Sequence, residues 1–131
     1  MAEQLRYRRL WLAAGWGVVG AIVWLSLTPA PPSLGVNLWD KAQHYSAYLL
    51  LTGWFLQIYR SGAARLRVAA VSIALGAVLE VLQGLGGVRH FEFADMLANT
   101  LGAFTAVVVV GGRLADLLVS AERLATRDMN R

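Results

Sequence analysis

Four long apolar segments, separated by short links, constrain the fold of this chain more than any other feature. They lie at about residues 10–28, 38–59, 66–85 and 93–118. A helix needs roughly 20 residues to cross about 30 Å of hydrocarbon, and each segment approaches or exceeds that length. Hydrophobic residues make up 57% of the chain and charged residues 15%, a balance typical of membrane proteins. We therefore predict an all-α, integral membrane four-helix bundle that forms one domain over residues 1–131.

Helix-breaking residues separate the four segments. Prolines follow the first segment and glycines lie in the later links, namely Pro29, Pro31, Pro32, Gly62, Gly84, Gly86 and Gly87. The first segment follows a basic stretch, as in a signal peptide, but the apolar run of a signal peptide is usually about 7–15 residues long. Residues 10–28 form a longer uncharged run, so we expect a retained helix.

The basic residues predict the orientation of the bundle. Only Lys41 and Arg89 fall beside one set of segment ends, whereas ten arginines fall beside the other set. Short cytoplasmic loops of membrane proteins are enriched in Lys and Arg. We therefore expect both termini in the cytoplasm, and the loops at 29–39 and 84–94 at the periplasmic or external face. The ten are Arg6, Arg8, Arg9, Arg60, Arg65, Arg67, Arg113, Arg123, Arg127 and Arg131.

Composition also argues against several functions. The net charge of +4 can indicate nucleic-acid binding, but these arginines lie in short loops beside apolar segments, where they set membrane orientation. No nucleic-acid partner is therefore expected. The chain contains no cysteine, which excludes disulfides, cysteine-ligated metal centres and thiol nucleophiles. Neither a phosphate-binding nor a dinucleotide-binding glycine motif is present.

Eight polar side chains are predicted to converge at the outer ends of the second, third and fourth segments. On a helical projection Asp40, Lys41 and His44 share a face within an arc of about 100°. Glu80 follows Arg67 by about 20 Å along a helix, so it lies roughly 10 Å below the outer surface of the hydrocarbon. The eight are Asp40, Lys41, His44, Glu80, Gln83, Arg89, Asp95 and Asn99.

The types of these side chains indicate their roles. A buried carboxylate beside a histidine is a reasonable acid–base pair, because histidine titrates near neutral pH; the candidate catalytic residues are Glu80, Asp95 and His44. Lysine and arginine bind phosphate or carboxylate; the candidate substrate-binding residues are Asp40, Lys41, Gln83, Arg89 and Asn99. A metal site is possible by ligand type, since histidine and carboxylates such as His44, Glu80 and Asp95 bind metal ions. The sequence does not contain the His-Glu-x-x-His spacing of zinc proteases, however. We expect no metal and no cofactor.

Structural explanations compete with these roles. An ionised carboxylate at the centre of a membrane helix costs about 2.5–3.5 kcal/mol, so we expect Glu80 to pair with Lys41, Arg89 or His44, or to be protonated. A pair with Arg89 or Lys41 could serve only to fix the order of the helices. Asp40 could complement a helix dipole, with Asn37 as the cap.

Other polar groups have equally simple explanations. If Gln83 and Asn99 have no functional role, they are interhelical hydrogen-bonding groups. His90 and Glu92 are interpreted as solvated loop residues. A proton or ion pathway is disfavoured, because the cytoplasmic halves of the third and fourth segments consist mostly of Ala, Val, Leu and Gly.

The motif set resembles the VanZ-like family of small bacterial membrane proteins. The match covers roughly residues 25–112 and consists of Asp40-Lys41-x-x-His44, Glu80-x-x-Gln83, Arg89 and Asp95-x-x-x-Asn99-x-x-Gly102. The family takes its name from a member associated with resistance to teicoplanin, a lipid-tailed glycopeptide antibiotic that acts on cell-wall precursors. The resemblance implies an integral protein of the bacterial cytoplasmic (inner) membrane with its motif face outward. It implies no defined reaction.

The favoured hypothesis is an outward-facing polar pocket that binds an amphiphilic envelope molecule. Candidates are a lipid headgroup, a lipid-linked cell-wall precursor or a lipoglycopeptide. If the pocket also modifies its ligand, we expect an acid–base hydrolase or transferase acting on a lipid-linked substrate, with lowered sensitivity to teicoplanin-type antibiotics as one consequence. The alternative is a non-catalytic membrane scaffold or binding protein whose polar cluster only specifies helix packing.

The expected partners are membrane lipids and that envelope molecule. Small residues recur every four positions in the first and fourth segments, which lets helices pack closely. Such stripes fit contacts within one subunit and between subunits of a homo-oligomer equally well. They consist of Ala13, Gly17 and Ala21, and of Ala98, Gly102 and Ala106.

Overall fold

The computed structural model of the chain describes residues 5–29, 37–87, 89–112 and 114–128, without the side chains at positions 37, 39 and 128. These residues form five α-helices and no strand, which confirms the all-α prediction. The helices are α1 (Arg8–Leu27), α2 (Asn37–Ile58), α3 (Gly62–Leu85), α4 (Phe93–Gly111) and α5 (Leu117–Asp128). Pro31 and Pro32, and a cap formed by the side chain of Asn37, lie outside the described residues.

Three of the described helices, α1, α3 and α4, are long and apolar enough to cross a membrane. Helix α2 has 22 residues, a sufficient length, but it is not among the three. Its N-terminal half carries Asp40, Lys41 and His44, which lower its hydropathy. Its crossing of the membrane stays a prediction, as does the orientation of the termini.

The fourth apolar segment ends earlier than its boundary at about residue 118 indicates. Helix α4 ends at Gly111, and Gly112 leaves the helical region with φ −112° and ψ −96°. Two consecutive glycines weaken a helix because they have the largest backbone freedom to lose. The polar tail is therefore a separate helix, α5, and not a continuation of α4.

Helices α2 and α4 pack closely along the small-residue stripe of α4. Ala98, Gly102 and Ala106 are all buried there. A Cβ atom built on Gly102 would lie 2.2 Å from the carbonyl oxygen of Tyr45, so only glycine allows this approach of the two backbones. The stripe on α4 thus serves a contact within the chain.

The stripe on α1 does not serve such a contact. Ala13, Gly17 and Ala21 are exposed, and a Cβ atom on Gly17 would have open space around it. Gly15 is the buried residue of α1, and its Cβ position lies 2.9 Å from atoms of both Trp54 and Phe55. Helix α1 therefore packs on α2 through Gly15.

A buried carboxylate joins α5 to the start of α1. Glu122 accepts hydrogen bonds from the backbone N–H groups of Arg6 (2.8 Å) and Tyr7 (2.9 Å), and from the indole N–H of Trp11 (2.7 Å). Burial alone would raise the pKa of Glu122, but these hydrogen bonds and the charge of Arg6 outweigh it and lower the pKa below its ordinary value. This contact lies at the opposite end of the helices from the predicted site.

Candidate functional site

Lys41 connects the first turn of α2 to the start of α4. Its ammonium group donates to a carboxylate oxygen of Glu92 and to Oδ1 of Asp95, and it lies 3.8 Å from Oδ2 of Asp40. Asp95 is buried, whereas the side chain of Glu92 is half exposed. Because one cation bridges three carboxylates, the N-terminal turns of α2 and α4 are held together electrostatically.

His44 lies one helical turn after Asp40 and contacts α4 at two points. Its Nδ1 atom is 3.1 Å from Oδ1 of Asn99, and its Nε2 atom is 3.6 Å from Oδ2 of Asp95. An amide oxygen can only accept a hydrogen bond, so Nδ1 of His44 is the donor in the first contact. Nε2, on the other side of the ring, faces Asp95.

Glu80 on α3 is the most enclosed of the predicted catalytic residues, with 1% of its surface exposed. Its Oε1 atom accepts a hydrogen bond of 2.8 Å from the backbone N–H of Glu92. Its Oε2 atom is buried and has no hydrogen-bond partner within the described residues. The ion pair expected between Glu80 and Arg89 or Lys41 does not form, because those two cations are engaged by other carboxylates.

Arg89 reaches the site from the link between α3 and α4. One guanidinium nitrogen lies 3.3 Å from Oδ1 of Asp40. The link turns back at Gly87, whose φ of +64° is a left-handed conformation that favours glycine. Gly84 allows the returning chain to pass, because a Cβ there would lie 3.0 Å from that of Phe91. These two glycines bring Arg89 over α2.

Seven of the eight predicted site residues thus join one network, together with Glu92. We call this network the polar cluster, formed by Asp40, Lys41, His44, Glu80, Arg89, Glu92, Asp95 and Asn99. Glu92 is exposed in the link before α4, as expected of a solvated residue, but it is also part of the network, since its side chain binds Lys41 and its backbone binds Glu80. Its position three residues before Asp95 could have indicated that the two side chains are neighbours.

Gln83 is the predicted residue that lies outside the network. It is buried, and its amide group donates a hydrogen bond of 2.8 Å to the carbonyl oxygen of Ser26 on α1. The contact of α1 with this end of the molecule was not anticipated, because apolar periodicity alone does not indicate which neighbour a helix end meets.

Gly76 packs against Asn99 and Tyr48, on the side of the cluster that lies deeper in the helices. A Cβ on Gly76 would lie 3.1 Å from both Cβ and Nδ2 of Asn99, and 3.2 Å from a ring carbon of Tyr48. Tyr48 has 3% of its surface exposed. The absence of a side chain at Gly76 therefore lets α3 approach Asn99 closely, and a larger residue there would displace the partner of His44.

A cavity of about 400 Å³ adjoins the cluster between α1, α2 and α3. Its lining includes the polar residues His44, Gln83 and Arg89 and the apolar residues Ile22 and Leu25 of α1. A second cavity of about 340 Å³ is almost entirely apolar and contains none of the cluster residues. Ligand recognition with a polar component therefore belongs to the first cavity.

The cluster carries an excess of negative groups. Its four carboxyl side chains (Asp40, Glu80, Glu92 and Asp95) face two permanently basic ones, Lys41 and Arg89. Asp40, His44 and Asp95 each offer one ligand atom within 4.8 Å of the others, an arrangement that can hold a metal ion. This set differs from the sequence-derived one, because Asp40 occupies the place considered for Glu80.

Comparison with protein-family models, with curated proteins and with solved structures finds no match to this chain. The geometry of the polar cluster and its cavity is therefore the basis on which a function can be proposed.

Proposed function

We propose that this chain is a VanZ-like integral protein of the bacterial cytoplasmic membrane. In this proposal α1 to α4 all cross the bilayer, both termini lie in the cytoplasm, and the polar cluster faces the periplasm or the cell exterior. The distribution of basic residues supports this orientation, because Arg65 and Arg67 begin α3 whereas Glu80 and Gln83 lie near its other end.

The function we propose is recognition of an amphiphilic envelope molecule by the polar cluster. One observation carries it: the cavity beside the cluster is lined both by polar side chains, among them His44, Gln83 and Arg89, and by apolar ones, among them Ile22 and Leu25 of α1. An amphiphile needs both surfaces, one for its head and one for the start of its chain. The ligand is a lipid headgroup, a lipid-linked cell-wall precursor or a lipoglycopeptide of the teicoplanin type.

Within this function Arg89 binds the ligand, and the buried carboxylates act through His44, which lines the cavity. Arg89 lines the cavity, and its planar fork suits a phosphate or carboxylate. Glu80 is the candidate general base, because a carboxylate this enclosed is poorly solvated and has one oxygen without a partner among the described residues. Asp95 and His44 are the acid and the proton relay, and the reaction class is hydrolysis or group transfer.

Removal of the carboxylate charges tests this function. In a deletion strain, we expect lipid and cell-wall-precursor profiling to reveal an accumulated species that the wild-type protein removes. Glu80→Gln and Asp95→Asn should each fail to restore the profile, although both proteins insert and fold. Asp116→Asn is the matched control, because that carboxylate pairs with Arg60 outside the cluster and is exposed. Full complementation by both cluster variants would refute the site.

The scaffold function is the second candidate, and the ion pairs of the cluster favour it. Lys41 joins α2 to α4, and Arg89 joins the α3–α4 link to α2. If the cluster only specifies packing, both variants should unfold at lower temperature in detergent in proportion to their loss of function. In our proposal function is lost while the unfolding temperature stays within a few degrees of wild type.

A further inference from the structure

Asp40, His44 and Asp95 bring three side chains of metal-ligand type close together. Asp40 and His44 are one turn apart on α2, and Asp95 lies in the first turn of α4. One ligand-type atom from each lies within 4.8 Å of the other two. An imidazole with two carboxylates is a donor set of the kind that zinc and related divalent ions take in proteins.

The contact between His44 and Asp95 has the spacing of two metal ligands. Nδ1 of His44 contacts Oδ1 of Asn99, and Nε2 faces Oδ2 of Asp95 at 3.6 Å. This distance exceeds the 2.7–3.2 Å range that hydrogen bonds usually have. Two ligands on a tetrahedral Zn²⁺ are about 3.4 Å apart, given zinc–ligand bonds of about 2.1 Å. A metal-ligating histidine also typically donates its other N–H to an oxygen, as His44 does to Asn99.

The charges around the three residues leave room for a dication. Arg89 contacts Oδ1 of Asp40 and Lys41 contacts Oδ1 of Asp95. The second oxygens lie beyond hydrogen-bond distance of their neighbours, at 3.8 Å from Lys41 for Asp40 and at 3.6 Å from His44 for Asp95. The four carboxyl groups of the cluster also outnumber its two permanent cations.

Glu80 provides an independent observation. It is 1% exposed, and its Oε2 atom has no partner among the described residues. Its Oε1 atom accepts a hydrogen bond from the backbone N–H of Glu92, whose side chain binds Lys41 beside Asp95. Burying an unpaired carboxylate oxygen is costly, and a cation bound to its neighbours would reduce that cost.

We propose that Asp40, His44 and Asp95 bind one Zn²⁺ ion or a divalent ion of similar ligand preference beside the cavity. Bound there, the ion supplies a Lewis acid for an oxygen of the ligand. With the ion bound, His44 and Asp95 act as ligands, which replaces the relay and acid roles given to them in the proposed function. Asn99 is then a positioning residue for His44, and Glu80 is left as the acid–base group. The inference changes these roles but does not depend on the proposed function, because the ion binds whether or not an envelope molecule is present.

Metal titration of the purified full chain tests the inference. The protein in detergent is stripped with EDTA, titrated with Zn²⁺, Co²⁺ or Mn²⁺, and analysed for bound metal and for unfolding temperature. We expect one ion per chain, a raised unfolding temperature, and a Co²⁺ visible spectrum of a site with nitrogen and oxygen ligands. His44→Asn and Asp95→Asn should lose saturable binding. His90→Asn is the matched control, since His44 and His90 are the only histidines and His90 is exposed.

The positioning residue gives a second test that keeps the fold intact. Asn99→Asp retains an oxygen acceptor for Nδ1–H and should bind metal as wild type does, whereas Asn99→Leu should bind about 10–100-fold more weakly. Absence of saturable binding of all three ions by the folded wild type, or wild-type binding by His44→Asn, would overturn the inference. Either result leaves the proposed function standing, because that function is judged by complementation with Glu80→Gln and Asp95→Asn.

Discussion

At the scale of single residues, Gly102 determines how near the two acidic helix ends of the cluster come. A Cβ at this position would lie 2.2 Å from the carbonyl oxygen of Tyr45 and 3.0 Å from the amide nitrogen of Leu49. Asn99 lies on the same face of α4, three residues earlier. The hydrogen-bond distance of 3.1 Å between His44 and Asn99 therefore depends on the absence of a side chain at Gly102.

Gly102→Ala should separate α2 from α4. Because the obstructing atoms belong to the backbone, the helices must shift, and we expect a loss of about 1–3 kcal/mol in the free energy of unfolding in detergent. Gly17→Ala is the control, since its Cβ meets nothing within 4 Å. That variant should be neutral or more stable by up to about 1 kcal/mol. Equal stability of the two variants would contradict the close approach.

At the scale of helices, α2 contacts several neighbours, and α5 holds the start of α1 in place. Helix α2 contacts α1, α3 and α4, so its polar first turns can meet groups from all three. Helix α5 holds the start of α1 through Glu122. Because α1 forms one wall of the cavity, this distant contact contributes to the shape of the site.

The Glu122 contact should make stability depend on pH. Its pKa is lowered in the folded protein by hydrogen bonds that outweigh burial, so its contribution is complete above the ordinary pKa of 4.5 and disappears as pH falls through the lower folded value. At pH 7 we expect Glu122→Gln to unfold more easily by about 1 kcal/mol. The difference between wild type and variant, measured by thermal unfolding, should shrink as pH falls below 4.5. A difference that stays constant down to low pH would exclude the charged contact.

At the scale of the whole molecule, charge is divided between the two ends of the helices. One end carries the polar cluster, with its excess of carboxylates. The other end carries arginines at the start of α1 and α3, including Arg8 above the ring of Tyr59 at 5.3 Å and Arg60 paired with Asp116. This division is the physical basis of the proposed orientation, because positive charge is retained on the cytoplasmic side.

Single-cysteine labelling tests the orientation directly. The chain has no cysteine, so Gly62→Cys and His90→Cys each introduce one thiol at opposite ends. Both sites tolerate a side chain, since the Cβ position of Gly62 is open and His90 is exposed. In intact cells a membrane-impermeant maleimide should label position 90 and not position 62. Labelling of position 62 alone would reverse the proposed topology.

The sequence by itself determined the helical class, the extent of most helices and the end of the bundle at which polar groups collect, because these depend on apolar length, helix breakers and position along each helix. Only the tertiary structure decided the pairing: Arg89 with Asp40, Lys41 with Asp95 and Glu92, and Glu80 without a cationic partner among the described residues. Helical spacing places groups on one face of a helix, but it does not determine the height or rotation of that helix relative to its neighbour. Height and rotation were fixed by contacts such as that of Gly102 with Tyr45, which place Asp95 of α4 beside Asp40 and His44 of α2.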